Sequence, residues 1–153
     1  DLDAETELFL FSASRRHALQ TVIVPALSKG KLVLSDRNAY STEAYQGAGG
    51  KIDPKNISYL NELATSGAKL DLAIILDIES EEGLRRARGV SKIKDKIEAR
   101  AVDYHKRVRE GYQMIAKRDS DICVLVDGSR SVKKIHDEVY RISRGRIDRV
   151  LKG

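Results

Sequence analysis

Asp36 and Arg37 stand side by side directly after the apolar run at residues 31–35, and Asn38, Tyr40, Ser41, Thr42, Tyr45 and Gln46 follow at once. An arginine offers a planar fork of N–H donors that matches two phosphate oxygens. A carboxylate beside it can hold that fork in place or carry a hydrated magnesium ion. The pair therefore has two readings, an anion clamp or a plain ion pair capping a strand end. Two further apolar runs end on carboxylates, at Asp77 and Asp127. Residues 83–100 add Arg85, Arg86, Arg88, Lys92, Lys94, Lys96 and Arg100 against Asp95 and Glu98. Such a basic stretch can close over a migrating phosphoryl group and screen its charge, or it can be a solvated surface. His17, His105 and His136 lack metal-ligand spacing and read as structural or surface residues.

Elements must position these groups. Residues 6–29 carry Leu10, Ala13, His17, Leu19, Val22, Ile23, Ala26 and Leu27 at helical spacing, with Pro25 as a kink and Gly30 as the stop. Residues 31–36 then read as a short buried strand and 39–47 as one or two helical turns. Asp53, Pro54 and Gly67 supply cap, first position and stop for the next helix. The uninterrupted apolar runs at 70–78 and 121–127 read as strands covered on both faces. Helices are expected at 80–88, 98–118 and 131–151, the last capped by Ser131. Strands separated by helices point to an α/β fold with a parallel sheet. Ligands gather at the carboxyl ends of such strands, so Asp36–Arg37, Asp77 and Asp127 are expected on one rim.

Composition bounds the class. A chain of 153 residues, 41% of them hydrophobic, can bury one core of ordinary domain size. Lysine and arginine exceed aspartate and glutamate by 28 to 23, a net charge of +5 that favours an anionic partner. The single cysteine, Cys123, excludes a disulfide framework and fits a reducing compartment. No apolar run is long enough to span a membrane, so the expected location is cytoplasmic, with no membrane partner.

The string DRNAYSTEAYQGAG resembles the signature of the thymidylate kinase family. ELFLFSASR, LNELATSG, DLAIILDI, DKIEARAVDYHKRVREGY and VLVDGSRSVKKIHDEV are similar to further segments of that family, in the same order. The resemblance implies a three-layer nucleoside monophosphate kinase fold of the phosphate-loop type. It also implies transfer of the ATP γ-phosphoryl to dTMP with magnesium. Residue by residue, Phe11 is similar to the phenylalanine that lies on thymine and Arg15 to the arginine at the base edge. Arg37 matches the phosphate clamp, and Asp36 the carboxylate near the reacting phosphates that holds the metal through water. Ser41 and Gln46 fall where polar groups face the base, Tyr45 where a ring packs beside the sugar, and Glu98 at the end of the lid near the sugar. Residues 85–97 resemble the basic lid, with Arg88 and Lys96 as its catalytic cations. Arg85, Arg88, Lys92, Ser129 and Arg130 fall on the ATP side.

The chain departs from the family pattern at Asn38, Leu70 and Lys96. It contains no G-x-x-x-x-G-K-[ST] and opens within a family helix, so the chain is expected to be the carboxyl-terminal portion of a single kinase domain, inactive by itself. The family implies a homodimer and no nucleic acid as partner. A non-catalytic module that binds nucleotide or nucleic acid is the second expectation, to be separated from the kinase by binding without turnover.

Overall fold

The first helix starts where the Asp3 carboxylate turns back to accept from the Thr6 N–H at 2.6 Å. The computed structural model describes residues 2–90 and 102–152, and they fall into two units, Asp1–Lys69 and Leu70–Gly153.

In the first unit, α1 (Ala4–Ala18) runs into a π-helical turn at Leu19–Ile23 and then α2 (Val24–Leu27). Pro25, which has no N–H for the Thr21 carbonyl, sits just past this widening, where a helix must bend. The turn that follows ends on Gly30 at φ +67. The buried stripe of α1 is Leu8 and Ser12 with Glu7, while Leu10, Val22 and Leu27 of the expected apolar face are exposed.

The expected strand at 31–36 does not form. Residues 31–35 are irregular, with Leu34 87% exposed. The described residues of this unit contain no strand, and an extended run with no ladder partner leaves its backbone groups to water. Asp36 and Arg37 therefore end a loop instead of a strand.

Asn38 then caps α3 (Ala39–Thr42) by accepting from the Ala39 N–H, which gives this departure from the family pattern a local task. The helix continues through a π-helical stretch at Glu43–Gly49, longer than the expected one or two turns. Gly50 closes it, because a Cβ there would meet the Gln46 carbonyl at 2.6 Å and Ala4 Cβ at 2.9 Å. Helix α4 (Pro54–Thr65) has the expected signals: Asp53 accepts from the Lys55 N–H at 2.8 Å, and Ser66 and Gly67 leave the helix at positive φ. Leu8, Ile52 and Ile57 form the core, with Ala4 and Leu60 against them.

The second unit is built on β1 (Ala73–Asp77) and β2 (Cys123–Asp127), parallel and in register from Ala73↔Cys123 to Asp77↔Asp127. Parallel strands need a long crossover, supplied here by α5 (Ser80–Val90) and α6 (Val102–Arg118). α6 packs on both strands, and α7 (Val132–Lys152) packs on β2. Cys123 is buried, and burial pushes its thiol up. Leu76 and Leu125 are exposed, against the expectation of strands covered on both faces. Among the described residues the sheet has two strands and so only edges, and these helices cover part of it. The described residues are thus an α/β chain with a small parallel sheet and mostly helices.

Candidate functional site

In the first unit Arg37 adopts φ +66, a left-handed conformation that costs a residue with a Cβ roughly 1–2 kcal/mol. The Ser35 hydroxyl holds the turn by donating to the Arg37 carbonyl at 2.9 Å. The guanidinium carbon lies 5.0 Å from the centroid of the Tyr45 ring, within cation–π range. The residues expected at a phosphate and at a sugar therefore meet. Asp36 and Arg37 both remain exposed.

Arg15, one turn after Phe11 on α1, is half-buried and held on several sides. It donates to Asn61 Oδ1 at 2.8 Å, to the Asn38 carbonyl at 3.4 Å and to the Thr42 hydroxyl. Burial pulls its guanidinium below the ordinary value, although arginine stays protonated in proteins. Asn61 also donates from Nδ2 to the Ala39 carbonyl at 3.2 Å, so one side chain links α4 to α1 and to the start of α3.

Neither Asn61 nor Thr42 has a role of its own in the sequence pattern. The available signal was an amide inside the buried stripe Ile57, Asn61, Ala64 of α4, since a buried polar group calls for a partner. For Thr42 there was none, because Ser41 beside it offers the same hydroxyl. Thr42 is buried, and Ser41 is half-buried with its N–H on the Asn38 carbonyl at 2.9 Å.

Gln46 is 2% exposed, and its Nε2 donates to Glu7 Oε2 at 3.0 Å. Its amide nitrogen is engaged inside the unit, where it ties α1 to the 43–49 stretch. Phe11 is 42% exposed, next to exposed Phe9 and Leu10. It is a surface ring, not a core residue.

In the second unit the carboxylates at the strand ends meet as register partners, Asp77↔Asp127. Asp77 accepts from Arg109 Nε at 2.7 Å and Nη2 at 3.1 Å and from Gln113 Nε2 at 3.2 Å. The Arg109 hydrogen bonds hold the Asp77 carboxyl below its usual range, and Asp77 in turn raises Arg109. Arg109 also pairs with Glu79.

Arg85 is exposed and forks onto Glu82, with Nε and Nη2 both at 2.7 Å, and Arg86 Nε reaches the same carboxylate at 2.7 Å. These bonds bring the Glu82 carboxyl down to about 2. Arg86 further donates to the carbonyls of Gly128 at 2.8 Å and Ser129 at 3.0 Å. The Ser129 N–H and hydroxyl donate to Asp127 Oδ1 at 2.9 and 2.6 Å, and Arg130 bonds the Asp127 carbonyl at 3.2 Å and pairs with Glu138. Ser129 and Arg130 thus belong to one bonded turn fastened by Arg86. Arg88 lies in α5. Lys92, Lys96 and Glu98 lie outside the described residues. Among the described residues no three His, Cys, Asp or Glu side chains gather as a metal-holding group, and no helix is long and apolar enough to cross a membrane.

A model of the thymidylate kinase family matches residues 1–139. The thymidylate kinase of Kosmotoga olearia is 44% identical over 137 residues, which cover 90% of this chain and 65% of that protein. The thymidylate kinase of Maridesulfovibrio salexigens is 39% identical over 159 residues, covering 100% of this chain and 71% of that protein. The chain spans about two thirds of the length of these curated relatives.

Proposed function

Since the chain belongs to the thymidylate kinase family, we propose that the protein transfers the γ-phosphoryl group of ATP to a phosphate oxygen of dTMP, releasing ADP and dTDP. The observation that carries the reading is Arg37 lying over Tyr45 at 5.0 Å, which joins a phosphate-binding cation to a flat ring within one motif. We read both units as one kinase domain of the three-layer phosphate-loop type, because the family match runs across residues of both.

Phosphoryl transfer is mostly positioning and charge stabilisation. Arg37 would grip the dTMP phosphate with its fork while Tyr45 packs beside the sugar. Phe11 would offer its exposed face to the base, and Arg15 its remaining donors to a base carbonyl. Ser41, Gln46 and Glu98 complete the acceptor side. Arg85, Arg88, Lys92, Lys96, Ser129 and Arg130 would serve the ATP side, with Arg88 and Lys96 closing over the migrating group. Asp36 suits a hydrated magnesium ion, since it is an exposed carboxylate and magnesium keeps several waters while taking one or two carboxylates and substrate phosphates. When bound, the ion neutralises charge on the phosphate oxygens. We further propose a cytoplasmic homodimer.

The test is a coupled assay of ADP release by the full-length protein with ATP, magnesium and one nucleoside monophosphate at a time. Turnover with dTMP well above that with dCMP or dGMP is expected. Tight dTMP binding without phosphoryl transfer would overturn the kinase reading in favour of a binding module.

A further inference from the structure

A guanidinium only donates. It carries five N–H groups and no acceptor, so it prefers a base that presents a carbonyl. At position 4 of a pyrimidine ring, thymine presents a carbonyl oxygen and cytosine an amino group. A donor held at a fixed spot can tell the two apart, whereas one free to swing aside tolerates both. What fixes Arg15 therefore bears on which base is accepted.

The contacts around Arg15 come from three places in the chain: Asn61 on α4, Thr42 on α3 and the Asn38 carbonyl ahead of α3. Between them they use three of the five donors, which leaves two for a ligand. Asn61 is held at both ends of its amide. It is 7% exposed, its Oδ1 takes the shorter of the two bonds with ordinary lengths, 2.8 Å, and its Nδ2 is itself held by the Ala39 carbonyl at 3.2 Å. An amide bonded at both ends cannot rotate without breaking one of its bonds, so the acceptor it shows Arg15 is stationary.

We propose that Asn61 is a positioning residue that holds the Arg15 guanidinium in the orientation that favours thymine over cytosine. The inference rests on the reading of Arg15 as the contact to the base edge. It adds a specificity determinant on α4, a helix the sequence reading left without a functional residue.

The experiment measures dTMP and dCMP affinity by calorimetry, and KM against kcat for dTMP, on the full-length protein and on three variants whose folding is checked by thermal melting. Asn61→Ala removes both ends of the link and should weaken dTMP about tenfold, the scale of one hydrogen bond to a charged group. It should leave dCMP nearly unchanged, so the preference shrinks by the same factor, and KM should move while kcat holds. Asn61→Asp loses the donor to Ala39 but replaces that anchor with a charge-assisted bond that holds the guanidinium directly, and it should retain most of the preference. If Asn61→Asp loses the preference as fully as Asn61→Ala, or if Asn61→Ala leaves the preference intact, the positioning role is wrong. Arg15→Ala separates the premise. A folded Arg15→Ala with unchanged dTMP affinity and preference removes the base-edge reading itself, whereas loss in Arg15→Ala with none in Asn61→Ala removes only the role of Asn61.

Discussion

The Arg37 guanidinium lies over the face of Tyr45, 5.0 Å from the ring centroid, although eight positions separate the two in sequence and Arg37 pays for its place with a left-handed backbone. A cation parked on a ring is partly desolvated on one side and open on the other, so it is ready to take an anion. Arg37→Ala should lower phosphotransfer by about a hundredfold or more, the scale of one charge-stabilising donor removed from a transition state. Thermal stability should hold, because the side chain is exposed. Steady-state kinetics on the full-length variant decide it, and activity within a few fold of wild type leaves Arg37 a structural residue.

Phe11 tests recognition of the base. With 42% of its surface exposed, truncation should cost little stability, and a base stacked on the ring should lose about 1–3 kcal/mol of binding in Phe11→Ala. Inorganic phosphate should bind this variant as it binds wild type. Calorimetric titration with both ligands checks this, and equal weakening of the two assigns Phe11 to packing alone.

Tyr45→Ala should act on the sugar. The expected outcome is a modest loss for dTMP and a relative gain for its ribose analogue, since the ring that crowds the 2′ position has gone. Because Arg37 also loses its platform, phosphate affinity should drop slightly as well. A ratio of the two nucleotides that stays where it was rules out crowding by Tyr45.

Acid should loosen the second unit. Asp77, Glu82 and Asp127 all titrate below their usual values when folded, through bonds from Arg109, from Arg85 and Arg86, and from Ser129. A lowered folded value means that the unfolded chain takes up protons first. The stability Glu82 contributes is therefore complete above its ordinary value of 4.5 and disappears as pH falls to about 2, and that of Asp77 and Asp127 is lost in the same direction. Melting midpoints measured from pH 6 to 2 should fall through that window, and less steeply in Asp77→Asn. A flat profile contradicts it.

The proposed dimer has a candidate surface in the exposed apolar residues Phe9, Leu10, Val22 and Leu27 of α1, its π-helical turn and α2. A specific interface should bury roughly 1,000 Å² or more. Light scattering on the full-length protein at micromolar concentration should give twice the chain mass, and Leu10→Asp should halve it. A monomeric wild type ends the proposal.

The segments of sequence whose structure was legible are those governed by near neighbours. Asp53 and Pro54 start α4, Gly67 follows its end, and two apolar runs closing on Asp77 and Asp127 became paired strands. A cap bonds within three residues and a turn residue answers to its own φ, so composition and spacing suffice to read them. The run at 31–35 shows the limit. It has the composition of a strand, but a strand exists only against a partner, and none is present among the described residues of its unit.

By itself the sequence determined the caps and the motif that carries Asp36, Arg37 and Tyr45, because each is written in consecutive residues. Tertiary structure alone decided what those side chains touch. Arg15 finds Asn61 46 residues away, Arg86 finds the Gly128 carbonyl 42 residues away, and Gln46 finds Glu7 39 residues away. Many polar residues lie at such separations, and each could bond equally well on paper. Only the packing of α1, α3 and α4 in one unit, and of α5 beside the turn after β2 in the other, brings one acceptor within reach of each donor and keeps the rest away, and buried donors then take the acceptor they are given.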